Sequence, residues 1–327
     1  MEDDLDVFCW WGLQFGTLTA TVSQQVKHLS KGIAMIALAA LPLPALIHPK
    51  PTLAKRVAAL NLRLAPQIEI TLTDTNVLTV WLNRTDKRNA LSFAMMDQLV
   101  WLAQTLATWR DVRAVIVGGR GESFCAGIDL ADLNQPSQRT ALMWEMLKPT
   151  QSRFQRVCLC WRDLPMPVIA VTHGHCLGAG LQLALACDIR LSAPDCQFAI
   201  MEAKWGLVPD MGLTQSALGV VRADVLKELA MTARVFDAAA AQDYGIITHI
   251  SDDPMRDAHA LAAELATRSP DAVLASKRVV NAMYAQSANV LHQEKIWQLK
   301  LLIGNNRRLA LKKAKDHAVK FLPRQFS

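Results

Sequence analysis

Residues 167–188, Pro-Val-Ile-Ala-Val-Thr-His-Gly-His-Cys-Leu-Gly-Ala-Gly-Leu-Gln-Leu-Ala-Leu-Ala-Cys-Asp, constrain this chain more than any other stretch. The apolar run Pro167–Val171 reads as a buried strand. Gly178, Ala179 and Gly180 let the backbone turn tightly. Behind them, Leu181, Leu183, Leu185 and Ala186 read as a buried helix. A strand, a glycine-rich turn and a helix start aim unpaired backbone N–H groups at one point. Such a point suits an anion, or a carbonyl oxygen that becomes one during a reaction.

A second turn of this kind lies upstream. Ala114-Val-Ile-Val117 reads as a strand and Gly118-Gly-Arg-Gly-Glu122 as the turn after it. Phe124-Cys-Ala-Gly-Ile-Asp-Leu130 follows. Gly127 permits close backbone approach, and the next N–H, on Ile128, can face a ligand. Two such donors meeting at one oxygen would form an oxyanion hole.

The rest of the chain fits an α/β protein. Ile68, Ile70 and Leu72 alternate, and Val77–Leu82 follows a turn at Asp74-Thr-Asn76, so two strands are expected there. Ser92 is a plausible N-cap for a helix carrying Met96, Leu99, Val100 and Leu106 on one side. Strands are expected at 114–117, 168–172, 188–193 and 246–250, and helices beyond 254. Other cofactor folds lose their signals. Gly174-His-Cys-Leu-Gly-Ala-Gly180 lacks the dinucleotide spacing, and neither a phosphate-loop motif nor a G-x-S-x-G elbow occurs.

Four segments in order resemble the crotonase (enoyl-CoA hydratase/isomerase) family. They are Asp86-Lys-Arg-Asn-Ala-Leu-Ser92, Phe124-Cys-Ala-Gly-Ile-Asp129, the Gly-Ala-Gly turn with Cys187-Asp188, and Met201-Glu-Ala-Lys-Trp-Gly-Leu-Val-Pro-Asp-Met-Gly212. The set spans about residues 67–326. The resemblance implies an α/β fold, a spiral of β-β-α repeats with a helical C-terminal region that trimerises. The expected divisions are residues 1–65 as an N-terminal extension outside the fold, 66–252 as the spiral core with the site, and 253–327 as the helical region.

The resemblance also implies site residues. The N–H groups of Ile128 and Ala179 would form the oxyanion hole. Lys87, Arg88, Ala90 and Leu91, with Ala126, Gly127, Asp129 and Leu130, would hold the CoA portion, and Gly178 and Gln182 would complete the substrate site. Met201, Trp205 and Met211 either line the acyl pocket or fill core. On its own residues Glu202 reads as a strand-end carboxylate and Asp210 as a turn residue. By resemblance, Glu202 matches the family's acid/base glutamate and Asp210 the aspartate used with it in dienoyl-CoA isomerases. Gln182 is a departure. Family hydratases carry a second glutamate there, and glutamine cannot accept a proton usefully near neutral pH.

The preferred reading is double-bond isomerisation of an enoyl- or dienoyl-CoA through a stabilised enolate. One alternative is an enoyl-CoA hydratase in which Gln182 orients water and Glu202 moves the protons. Another is an acyl-CoA-binding protein without turnover. CoA is part of the substrate, so no separate cofactor and no metal is expected, and a homotrimer or hexamer is implied.

Bulk properties agree. The chain has 327 residues, 51% hydrophobic and 20% charged, and its net charge of +6 suits an anionic ligand such as CoA. That charge is too modest for nucleic acid, and no zinc-finger spacing or basic heptad is present. Arg307, Arg308, Lys312, Lys313, Lys315 and Lys320 read as a solvated helix face. Seven scattered cysteines without C-x-x-C read as buried thiols of a cytoplasmic protein. His173, His175 and Cys176 read as loop residues beside a strand end. In the extension, the apolar run 32–47 is broken by Pro42 and Pro44 and is short for a bilayer span, so no stable membrane insertion is expected. An over-extended gene start ranks ahead of a membrane-facing tail and a cleaved targeting segment.

Overall fold

The computed structural model describes residues 51–283 except Ser269, and beyond them Lys295, Gln298, Leu299 and residues 302–313, 315–316 and 318–319. The chain divides into two units, Met1–Pro51 and Thr52–Ser327. The expectations for the apolar run 32–47 lie outside the described residues.

The second unit opens with helix α1 (Leu53–Asn61), capped by the Thr52 hydroxyl. Leu53, Val57 and Leu60, at helical spacing, are buried in the main core. The Asn61 side chain pairs with both backbone groups of Ile70, at 2.7 and 2.9 Å. Residues 53–64 of the expected extension are therefore part of the fold. Apolar spacing over fewer than three turns was too short to separate a packed helix from a linker.

Strands β1 (Ile68–Leu72) and β2 (Val77–Leu82) form an antiparallel hairpin. From β2 onward the pairing is parallel, through β3 (Ala114–Gly119), β4 (Val168–Thr172), β6 (Ile189–Ser192) and β8 (His249–Ile250). The sheet order is β1-β2-β3-β4-β6-β8. Successive side chains point to opposite faces, and both faces are covered, as a parallel sheet requires. Val115, Val117, Val168 and Ala170 enter the main core. Ala114, Ile116, Ile169, Val171 and Leu191 pack with Ala258 and Ala262 of a C-terminal helix.

A second, smaller layer lies beside this sheet. Strand β5 (His175–Leu177) pairs in parallel with β7 (Gln197–Ala199). Isolated bridges extend the layer, joining Leu91 to Ile128 and Cys125 to Cys176. Each turn of the chain thus gives one strand to the large sheet and one short segment to the small layer: β3 then Cys125–Ile128, β4 then β5, β6 then β7. This is the expected spiral, seen in its hydrogen bonds.

Helices close each turn. α2 (Phe93–Leu106) is capped by Ser92, whose Oγ accepts from the Met95 N–H, as expected. The short α3 (Leu130–Leu133) and α4 (Arg139–Leu147) lead to α5 (Arg153–Arg162), which carries a Ser152–Gln155 capping box and packs on α2. α6 (Ala179–Leu185) is buried throughout. It is followed by α7 (Leu213–Ser216), α8 (Ala223–Thr232) and α9 (Ala238–Asp243). The C-terminal region is helical: α10 (Pro254–Ala266), α11 (Pro270–Met283) and α12 (Asn305–Lys313). α10 covers the large sheet, and α12 packs on the turn Glu202–Trp205.

Candidate active site

The two glycine turns come together at the small layer. Gly127 has φ +107°, and a Cβ there would sit 3.2 Å from the Leu177 carbonyl oxygen and 3.9 Å from the Ala179 nitrogen. Gly178 has φ +50°, directly before α6. Positive φ at both positions favours glycine and brings the two backbones close. The N–H groups of Ile128 and Ala179 have no acceptor among the described residues, and both residues line one cavity. Ala179 is also the first residue of α6, where an N–H lacks an intrahelical partner. Both donor residues therefore belong to one cavity wall, beside the close approach of the two turns.

Glu202 begins the turn that follows β7 and lines the same cavity. A Cβ at Gly178 would lie 3.5 Å from Glu202 Oε1, so the carboxylate stands beside the donor turn. Its Oε2 is buried and has no hydrogen-bond partner. Burial pushes the carboxyl up from 4.5 to about 7, outweighing the hydrogen bonds that favour its charged form. A carboxylate that titrates near neutrality suits proton transfer in both directions.

Gln182 fixes that carboxylate. Its Nε2 donates to Glu202 Oε1 at 2.7 Å, and its Oε1 accepts the Met211 N–H at 3.0 Å. The backbone donor sets the amide orientation, since only Oε1 can accept from it. Gln182 is 1% exposed and does not line the cavity. Gln182 thus stands behind Glu202 instead of in the cavity lining where the resemblance put it. The amide joins Glu202 to the segment that carries Asp210, and Asp210 lines the cavity as well.

The described lining encloses about 170 Å³. That is of the same order as the ~150 Å³ of an engineered cavity that holds one benzene, a scale that suits a short acyl chain. Met201, Trp205 and Met211 all line it, which decides between the two roles left open for them. Sequence reasoning missed Leu133, Leu142, Met146, Phe154, Leu207 and Leu302 as wall residues. Apolar helix positions look alike whether they face core or cavity. It also missed Gln298, whose Oε1 accepts the Val208 N–H at 3.3 Å, and Arg307, expected on a solvated face.

Of the residues expected to hold CoA, Ala126, Gly127 and Leu130 line the cavity with Ile128 and Gly178. Lys87, Arg88, Ala90, Leu91 and Asp129 do not. Lys87 and Arg88 are exposed, whereas the Leu91 side chain is fully buried. Leu91 contributes backbone: its N–H donates to Gly127 O at 2.8 Å and its carbonyl accepts from Asp129 at 2.9 Å. The Asp129 carboxylate is engaged by Arg84 at 2.6 Å and by the Ala131 N–H at 2.9 Å. These contacts outweigh partial burial and hold its carboxyl below the usual range. Asn89, fully buried, donates to the Arg120 and Ser123 carbonyls and accepts from the Arg84 N–H. Asp129 and Asn89 therefore stiffen the loops rather than face a ligand.

His175 Nδ1 bonds Ser123 Oγ at 3.0 Å and His173 Nε2 bonds the Gly121 carbonyl at 3.0 Å. Cys125, Cys176, Cys187 and Cys196 are buried, and burial pushes the Cys125, Cys187 and Cys196 thiols up to about 12. Such thiols are poor nucleophiles.

A family model described as enoyl-CoA hydratase/isomerase matches residues 73–306. Over 247 residues the chain is 36% identical to the mitochondrial Delta(3,5)-Delta(2,4)-dienoyl-CoA isomerase of Rattus norvegicus, covering 72% of this chain and 75% of that protein. It is 33% identical over 223 residues to the Mycobacterium tuberculosis protein named "Probable enoyl-CoA hydratase EchA14", covering 68% and 85% respectively. Among solved structures, an enoyl-CoA hydratase from Mycobacterium avium subsp. paratuberculosis K-10 matches with a TM-score of 0.67 at 23% identity, over 81% of this chain and 100% of that one. The chain belongs to the enoyl-CoA hydratase/isomerase (crotonase) family.

Proposed function

We propose that this protein moves the two double bonds of a short 3,5-dienoyl-CoA into the 2,4 positions. One observation carries the reading: Glu202 and Asp210 line one cavity with Ile128 and Ala179, whereas the Gln182 amide is taken up by Glu202 and the Met211 N–H and does not line it. Hydratases of the family use a second glutamate where this chain has Gln182. Two acids in one cavity serve a proton shift along a chain, and similarity to dienoyl-CoA isomerases supports the same choice.

The steps follow from placement. The thioester oxygen accepts from the Ile128 and Ala179 N–H groups, which makes C2 acidic. Glu202, beside the Gly178 turn, takes a proton from C2 and leaves a dienolate whose charge rests on that oxygen. Asp210 in its protonated form returns a proton at C6. The C3–C4 and C5–C6 double bonds become C2–C3 and C4–C5, with no gain or loss of atoms. Proton exchange between the two acids restores the starting state. Apolar walls keep water from the dienolate.

The test is incubation with 3,5-dienoyl-CoA and with 2-enoyl-CoA, followed by mass analysis. Conversion of the diene at constant mass, abolished by Asp210→Asn, is the expected result. Rapid addition of one water to the 2-enoyl-CoA, with the diene untouched, would overturn the proposal.

A further inference from the structure

The cavity wall carries one cation that the isomerisation does not use. Arg307 lies on α12 among Leu302, Met146 and Leu142, and its Nε is buried without a hydrogen-bond partner. Arg139 stands next to it electrostatically: burial, then the Arg139 charge, lowers Arg307 from its ordinary value. Arg139 shares a face of α4 with Leu142 and Met146, at spacings of three and seven residues, and both of these line the cavity. Neither arginine forms an ion pair with a carboxylate among the described residues.

A guanidinium left half-buried beside apolar side chains, with no counter-charge among the described residues, is costly. A methyl-ended acyl chain would add none. The wall formed by α4 and α12 is also distinct from the Ala126–Leu130 wall, to which the loop expected to hold CoA is hydrogen-bonded.

We infer that Arg307, with Arg139 beside it, binds an anionic group at the far end of the acyl chain, so that the preferred substrate is a short acyl-CoA ending in a carboxylate. Arginine suits this role, since its planar fork takes both oxygens of a carboxylate. The inference rests on the acyl-CoA reading of the cavity and adds the chemistry of the chain's other end. It also changes the meaning of the basic C-terminal stretch, in which Arg307 lines the cavity.

Non-reacting ligands test this without turnover. Calorimetry on the full chain compares adipoyl-CoA with hexanoyl-CoA and suberoyl-CoA with octanoyl-CoA, with free CoA as reference. In at least one pair, the carboxylate-ended ligand should bind about 10- to 100-fold tighter, the value of a hydrogen bond to a charged group. Arg307→Met should erase that preference and leave the affinities for hexanoyl-CoA and free CoA unchanged. Arg307→Lys, which keeps the charge, should retain part of it and guards against a folding defect in the first variant. Equal affinity within both pairs would overturn the inference. So would an Arg307→Met variant that loses free CoA as strongly as the acyl ligands, because the arginine would then serve a CoA phosphate. Failure of hexanoyl-CoA and free CoA to bind the unaltered protein would overturn the acyl-CoA reading itself.

Discussion

Replacing Glu202 with glutamine should make the protein more stable as pH rises while removing its activity. Burial raises this carboxyl from 4.5 to about 7. A buried acid of this kind weakens the fold only where it must ionise. The cost is absent below the unfolded value, grows between about 4.5 and about 7, and is complete above that. At 1.36 kcal/mol per pKa unit, the full cost is about 3 kcal/mol, and the part gained between pH 5 and pH 8.5 is about 2.5 kcal/mol. Glu202→Gln removes the titration but keeps a polar group in the same place. The desolvation of the new amide does not depend on pH, so it cancels when the two pH values are compared. Urea unfolding of both proteins at pH 5 and pH 8.5 gives the number. The stability difference, variant minus unaltered protein, should be about 2–3 kcal/mol larger at pH 8.5. Acid–base catalysis worth about 10²–10⁴-fold should be lost in the same variant. A stability difference that stays constant within about 1 kcal/mol across that range would mean the carboxylate is not desolvated. The reasoning from burial to function would then fail at its first step.

Three further outcomes follow from the site. The kcat/KM of the unaltered protein should rise with pH through about 7, since the base must be ionised, and fall again where Asp210 loses the proton it must return; Gln182→Leu, which removes a bond favouring the charged form of Glu202, should move the rising limb upward and lower activity at neutral pH. A profile unmoved by the change would show that the amide does not govern Glu202. Gly127→Ala should cut kcat by about 10²–10³ with acyl-CoA affinity reduced less, because a Cβ at φ +107° pushes against the Leu177 carbonyl and displaces the Ile128 donor; normal turnover by a folded variant would remove that donor from the mechanism. A chain starting at Thr52 should keep its thermal midpoint and activity, whereas one starting at Gln67 loses the burial of Leu53, Val57 and Leu60 and should unfold several degrees lower by scanning calorimetry; equal midpoints would mean that α1 contributes nothing to the core.

The large sheet was legible because its strands are short apolar runs bounded by polar or glycine-containing turns. The two donor turns were legible because glycines mark where backbones must approach, whereas Glu202 read as an ordinary strand-end carboxylate and was singled out only by the family resemblance. The role of Gln182 was not legible. Its place in the sequence says which acid is missing, but only the hydrogen bonds show its two ends holding Glu202 and Met211. Arg307 sits in a run of basic residues that resembles any solvated helix, and the face it turns inward depends on where α12 lands against the Glu202 turn. The walls built from Leu142, Met146 and Phe154 were hidden for a related reason. An apolar residue facing an empty space has the same chemistry as one facing core.

In the proposed mechanism the two donors, Ile128 and Ala179, belong to successive rungs of the spiral, one after β3 and the other after β5. Neither loop alone would make the hole. The rungs are joined by the bridge from Cys125 to Cys176 and by the approach of Gly127 to Leu177. On that reading the spiral acts as a ruler whose smallest division is the spacing of the two donors. Substitutions at Cys125 and Cys176 should therefore be non-additive in kcat, although neither side chain lines the cavity.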